Sequence, residues 1–322
     1  MALATCVGGC QRSLTDVGPG RLHQWVEPEQ NTAYLLYQPS DYRRDYQWPL
    51  VVVCHAGGLD SPAARVRRWA PLAEERGFLL AVPSLTSSSG RGDAAERMAG
   101  QARDERGILA VIRHVRGSCQ VSDDRLFITG RGGGALPALY AGIRNPAVFR
   151  AVAVAAPEFN ADAVADATQR LDPYQSVLVN YPMTDALWQK SGRACAAWVS
   201  TYMSRVTEDH GARAGGDVER RIVEYFEHVV AAEPWLHVSV WRDSPSDDLT
   251  VHFKLRSSFV PKAYRWDFGD GQSLPIAEPV HRYREPGVYV VTLTITPPKG
   301  KPEQRRVRLR VPEGIASPGN IE

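Results

Sequence analysis

Arg125-Leu126-Phe127-Ile128-Thr129-Gly130-Arg131-Gly132-Gly133-Gly134 is the stretch that decides the architecture of the N-terminal part of this 322-residue chain. Its apolar, β-branched start predicts a buried strand, its glycine run a sharp turn, and the residues from Gly133 to Asn145 read as a helix. Working outward, Leu50 to Cys54, Phe78 to Val82, Val148 to Ala155 and Ser176 to Val179 are continuously apolar. Such runs, lacking polar alternation, are expected of parallel strands buried on both faces. Helical patterns lie between them. Pro71 fits a first helical turn that Gly77 ends, and Ile108, Leu109, Ile112 and Val115 form one apolar stripe. Further helical runs span Ala186 to Ser204 and Val218 to Ala231. Strands alternating with helices predict an α/β unit with a doubly wound, mainly parallel sheet and right-handed crossovers.

Four segments in order carry a resemblance to a known family over about Ala33 to Asp185. Tyr34-Leu35-Leu36-Tyr37-Gln38-Pro39 with Pro49-Leu50-Val51-Val52-Val53-Cys54-His55-Ala56-Gly57-Gly58 is similar to the opening and oxyanion strand of the α/β-hydrolase superfamily, within it the polyhydroxybutyrate depolymerase and feruloyl esterase type. Leu72 to Pro83 resembles the following helix and strand, Val121 to Gly130 the strand leading into the nucleophile elbow, and Asn145 to Val154 the strand after the nucleophile helix. In that superfamily the elbow reads G-x-S-x-G, with the serine exposed on a strained strand-to-helix turn. Here the central position is Gly132, which has no hydroxyl, and neighbouring Arg131 stays protonated without a nucleophilic lone pair. The resemblance makes Asp185 the acid position, a residue that also reads as the N-cap of the next helix. It makes His210 the base, in the polar loop Thr207-Glu208-Asp209-His210-Gly211, where an exposed loop histidine is the other reading. His55 is expected to orient the oxyanion loop, with backbone N–H groups of Gly57 and Gly58 facing the pocket. Arg131 and Gly133 would flank it.

From about Val238 the pattern changes. Thr250 to Leu255, Val288 to Thr296 and Arg305 to Val311 alternate or are β-branched, predicting an all-β sandwich. Tyr264-Arg265-Trp266-Asp267-Phe268-Gly269-Asp270-Gly271, His281-Arg282-Tyr283 and Pro286-Gly287-Val288-Tyr289-Val290-Val291-Thr292-Leu293 closely resemble the signature of the polycystic kidney disease (PKD) domain, an immunoglobulin-like sandwich. Trp266 and Phe268 are expected in its core, and Tyr289 as a corner tyrosine whose hydroxyl satisfies a backbone group. Asp267 and Asp270 lack the EF-hand order and read as turn-forming carboxylates. The expected organisation is a leader or disordered segment at 1–24, a hydrolase-like unit at 25–234, a PKD unit at 238–312 and a tail at 313–322.

A hydrophobic content of 43% supports a core in each unit, while a formal charge of +2 argues against a nucleic-acid partner. The arginines Arg65, Arg67, Arg68, Arg305, Arg306, Arg308 and Arg310 read as solvated faces. Cys6, Cys10, Cys54, Cys119 and Cys195 have neither metal spacing nor a disulfide framework, and no metal or cofactor is expected. Cys54 reads as a small buried hydrophobe, and as a substitute nucleophile only from the wrong strand. Val7-Gly8-Gly9-Cys10-Gln11 resembles a loose lipoprotein box, which would make Cys10 a lipid-anchor site; the other reading is an uncleaved leader. These features lead us to expect an extracytoplasmic, esterase-like protein that binds or scaffolds without turnover. Its ligand would be an ester, a polyester or a carbohydrate-linked molecule, with a cell-surface protein or glycan met through the PKD unit. The alternative is an active carboxylic-ester hydrolase using another nucleophile.

Overall fold

The computed structural model describes residues 17–56, 60–86, 93–211, 217–232, 235–242 and 249–311. Gly57, Gly58, Cys6 and Cys10, with the lipoprotein-like segment and the 313–322 tail, lie outside the described residues. The first unit runs β1 (Arg21–Val26), β2 (Ala33–Gln38), β3 (Trp48–Cys54), α1 (Pro62–Arg76), β4 (Leu79–Pro83), α2 (Ala94–Ser118), β5 (Val121–Arg131) and α3 (Ala135–Arg144). It continues with β6 (Ala151–Ala155), β7 (Ser176–Asn180), α4 (Ala186–Tyr202), β8 (Arg205–Asp209) and α5 (Val218–Ala232). One eight-stranded sheet has the order β1-β2-β4-β3-β5-β6-β7-β8. The pairs involving β2 are antiparallel, and every pair from β4 through β3 to β8 is parallel.

Strand alternation divides the apolar runs between two cores. Leu50, Val52 and Cys54 face one layer with Ile108, Ile112 and Val115 of α2, Leu139 of α3 and Val199 of α4. Val51 and Val53 face the other with Trp69 of α1 and Phe226 of α5, whose ring stacks on Phe127 at 4.5 Å. Covering both faces is what lets the inner strands be apolar at every position. The helix before Gly77 begins earlier than the sequence suggests. Ser61 caps it by accepting the Ala64 N–H at 3.2 Å, Pro62 occupies the first turn, and Pro71 therefore sits inside α1 and forgoes one helical hydrogen bond. Two strands also lie where none was expected: β1 opens within the segment read as a leader, and β8 occupies Arg205–Asp209 just before His210.

The second unit has a three-stranded sheet, β13 (Val280–Arg282), β10 (Thr250–Ser257) and β9 (Leu236–Trp241). It faces a four-stranded one, β12 (Ser273–Leu274), β11 (Ala263–Asp267), β14 (Gly287–Thr296) and β15 (Glu303–Val311), in those orders. Trp266, Phe268, Phe253 and Leu293 fill the space between. The Tyr289 hydroxyl donates to the Glu285 carbonyl at 2.8 Å, as expected of a corner tyrosine. Asp267 and Asp270 accept the N–H groups of Gly269 and Gln272, each at 3.0 Å, and so shape the turn. Two of the arginines read as solvated are buried. Arg65 pairs with Asp60 at 2.6 Å, and Arg305, 6% exposed, lies over the Tyr174 ring of the first unit at 4.5 Å. The units also meet where His237 faces Asp172 at 3.2 Å and where Arg256 donates to the Ala147 carbonyl at 2.9 Å.

Candidate functional site

The turn after β5 passes through a short 3-10 segment, Gly132–Gly134, into α3. A Cβ on Gly130 would lie 2.0 Å from the Gly134 carbonyl oxygen, and one on Gly134 would lie 2.6 Å from the Cys54 carbonyl oxygen. Both distances are far inside van der Waals contact, so the flanking glycines are what allow the helix to come so close to β3 and β5. Gly132 differs. Its φ is +60°, the left-handed conformation, yet a Cβ there would meet only Glu158 Oε1 at 3.7 Å. The elbow thus keeps its backbone bend and has room for a side chain at its tip, where the residue is a glycine.

Glu158 follows β6 and was not anticipated. Its N–H donates to the Gly132 carbonyl at 3.3 Å, and its exposed side chain lies beside the tip. Sequence offers no signal for it, because the placement comes from the pairing of β5 with β6 and not from any motif.

His55 is buried at the end of β3, and its Nε2 accepts the Leu85 N–H at 3.0 Å. The ring is also hydrogen-bonded to the Asp60 backbone, so its remaining N–H is Nδ1. Burial holds its pKa below the usual histidine range, outweighing the opposing Asp60 charge. A neutral imidazole with its lone pair engaged cannot take a proton from a reacting group; it ties the exit of β3 to the exit of β4. Asp60 Oδ2 in turn accepts the Ala56 N–H at 2.7 Å. Gly57 and Gly58, expected to turn their amides toward the pocket, lie outside the described residues.

Asp185 is exposed and caps α4, accepting the N–H groups of Leu187 at 3.0 Å and Trp188 at 3.3 Å. His210 directly follows β8, also exposed, with its ring edge-on to Tyr181 at 4.6 Å. Cross-strand register aligns Arg131, Ala155, Asn180 and Asp209 along the C-terminal edge of the sheet. Neighbouring strands lie ~4.8 Å apart, so His210 starts about 14 Å from the elbow strand. Its ring packs against Tyr181, which follows the neighbouring strand β7. Asp185, His210 and the elbow therefore share one edge of the sheet, but among the described residues no hydrogen bond or ion pair joins them. The acceptor beside His210 is engaged elsewhere: Asp209 accepts from Asn180 Nδ2 at 2.8 Å and pairs with Arg221 at 3.0 Å. Arg131 and Gly133 flank the tip, both partly buried. Cys54 is fully buried and its thiol is pushed well above the usual range by desolvation, which disfavours the nucleophilic thiolate.

A strand order of 1-2-4-3-5-6-7-8, with the sharp glycine turn after the fifth strand and two further candidate loops after the seventh and eighth, defines the α/β-hydrolase fold. An esterase from Rhizomucor miehei has the same fold: the match is 11% identical, covers 66% of this chain and 84% of that one, and gives a TM-score of 0.51. A putative dipeptidyl aminopeptidase IV from Bacteroides ovatus matches at 14% identity over 65% of this chain but only 36% of its own length, with a TM-score of 0.48. The C-terminal unit is a PKD domain: the family model matches residues 242–311. The PKD1 domain of the Vibrio cholerae metalloprotease PrtV is 30% identical over 24% of this chain and 95% of that one, with a TM-score of 0.22. No curated protein sequence matches the chain.

Proposed function

We propose that the hydrolase-fold unit is a binding or scaffolding module that holds an ester, polyester or carbohydrate-linked ligand without cleaving it. The PKD unit presents it outside the cytoplasm and contacts a cell-surface protein or glycan. One observation carries this reading: the elbow retains its bend and its space, yet the residue at its tip is Gly132. Loss of the serine alone from a serine protease costs about 10⁶-fold in turnover. What remains there, from oxyanion and binding effects, is only about 10³ to 10⁴ over water. The N-cap role of Asp185 and the remoteness of His210 support the same reading, as does the engaged lone pair of His55. No described helix is long and apolar enough to cross a membrane.

The test is incubation with a short-chain nitrophenyl ester, alongside labelling with a fluorophosphonate. We expect hydrolysis no faster than the buffer blank and no labelled protein. Rapid turnover with a covalent adduct would overturn the proposal.

A further inference from the structure

The outer face of the four-stranded PKD sheet carries an arginine row. Arg306, Arg308 and Arg310 alternate along β15 with inward-facing Leu309 and Val311, and all three are exposed. Alternate residues on a strand project to one face about 6.8 Å apart. β15 is an edge strand, so the row lies along the margin of the sheet. Opposite these arginines on β14 stand Thr292, Val290 and Val288, respectively. Cross-strand neighbours are where a carboxylate would neutralise such charges, yet each of these positions is uncharged. Val288 and Val290 are 52% and 51% exposed, which is unusual for β-branched residues on an outer face.

Among the described residues none of the three guanidiniums takes part in an ion pair or hydrogen bond. In a chain with 38 basic and 36 acidic side chains, carboxylate partners are not scarce. The acid on this face, Asp267, lies two strands from Arg306 across Thr292, about 9.6 Å in sheet spacing, and accepts the Gly269 N–H instead. Arg265, on the same strand as Asp267 and opposite Thr294, is a fourth exposed guanidinium with no ion pair among the described residues. The inner end of the row, Arg306 and Arg308, also lines the cleft shared with Thr168 and Leu171 of the hydrolase-fold unit.

We infer that this face binds an extended acidic polysaccharide, its carboxylates taken by Arg306, Arg308 and Arg310 and its ring faces and hydroxyls by the valine and threonine row of β14. Evenly spaced planar donors suit a linear polymer with repeating carboxylates. Among the described residues the face carries no exposed aromatic rings on which single-stranded nucleic acid would stack, which argues against that polymer. A folded acidic protein would need large apolar anchors, whereas the apolar side chains beside the row on β14 are the two valines Val288 and Val290.

The inference rests on the PKD unit being a contact module, as proposed above. The test uses the full chain, polygalacturonate as probe, and neutral dextran and an oligothymidylate as comparators. At about 50 mM salt, where exposed charges still act over ~14 Å, we expect polygalacturonate binding that weakens steeply as salt rises. Dextran should not bind, and oligothymidylate should bind more weakly. Replacing all three residues, R306S/R308S/R310S, should weaken polygalacturonate binding about tenfold or more, since three exposed charge pairs at ~0.5 kcal/mol each multiply to that factor. The urea midpoint of the exposed-site variant should match the parent, so that lost binding is not lost folding. Parent-like affinity in the triple variant would overturn the arginine row while leaving a contact module elsewhere on the unit. An oligothymidylate affinity equal to that for polygalacturonate would overturn the ligand class, and a parent that binds none of the three would overturn the arginine row as a polysaccharide site.

Discussion

One methyl group is enough to distinguish the three glycines that shape the elbow. Gly130→Ala and Gly134→Ala would force a Cβ to 2.0 Å and 2.6 Å from backbone oxygens. Each should cost at least about 3 kcal/mol by overpacking against atoms that cannot rotate away. Gly132→Ala meets no such obstacle and should cost only ~1–2 kcal/mol, the penalty of a left-handed φ for a residue with a side chain. Urea denaturation of the three variants checks the order, and equal losses would contradict the bend described. His55 adds a pH dependence. Its folded pKa lies below the ordinary histidine value of 6.5, so the unfolded chain takes up the proton first. Its contribution is therefore complete above about pH 6.5 and declines as pH falls from there through the folded pKa. Denaturant midpoints measured across that window should show the decline, and His55→Gln should lack it. Sequence revealed the glycines and the vacancy at 132, because both are statements about residue type. It could not reveal that His55 engages Leu85, or that Glu158 sits beside the tip, because those contacts arise from strand pairing.

At the level of single elements, legibility followed burial. The inner strands β3 to β7 were recognisable because two covered faces require an uninterrupted apolar run. β8, Arg205-Val206-Thr207-Glu208-Asp209, pairs on one side only and is half exposed, so its polar composition reads as a loop. β1 was obscured for the same reason. The start of α1 is hard to read because Pro71 fits a first-turn proline, although Ser61-Pro62 is the cap the helix uses and the second proline is tolerated within it. Asp185 read both as triad acid and as N-cap, and its hydrogen bonds realise the cap. Asp185→Ala should then lower stability by about 1 kcal/mol, the usual loss when such a cap is removed. The same change should leave ester hydrolysis at the blank level. Unchanged stability in that variant would overturn the cap assignment.

For the whole molecule, the order of two dissimilar units was plain from the switch between helical and alternating patterns, but their contact surface was not. It depends on Asp172, Tyr174, Arg256 and Arg305, residues scattered through both units. Asp172→Asn combined with Arg256→Ala removes one charge from the His237 contact and one hydrogen bond to Ala147. We expect scanning calorimetry to resolve two thermal transitions in that double variant where the parent gives one; a single unshifted transition would mean that the junction does not couple the units. Three unpaired cysteines lie sealed inside the first unit: Cys54 on the central strand β3, Cys119 at the end of α2 and Cys195 on α4. Desolvation pushes the Cys195 thiol up to about 12 and holds the Cys54 thiol well above the usual thiol range. An alkylating reagent can reach such sulfurs only while the surrounding layers are parted, so with Cys6 and Cys10 changed to serine the protein becomes its own recorder of transient opening. Cys195 lies on α4, which packs on β7 and the edge strand β8, and should be modified during partial excursions, and Cys54 only when the whole sheet comes apart.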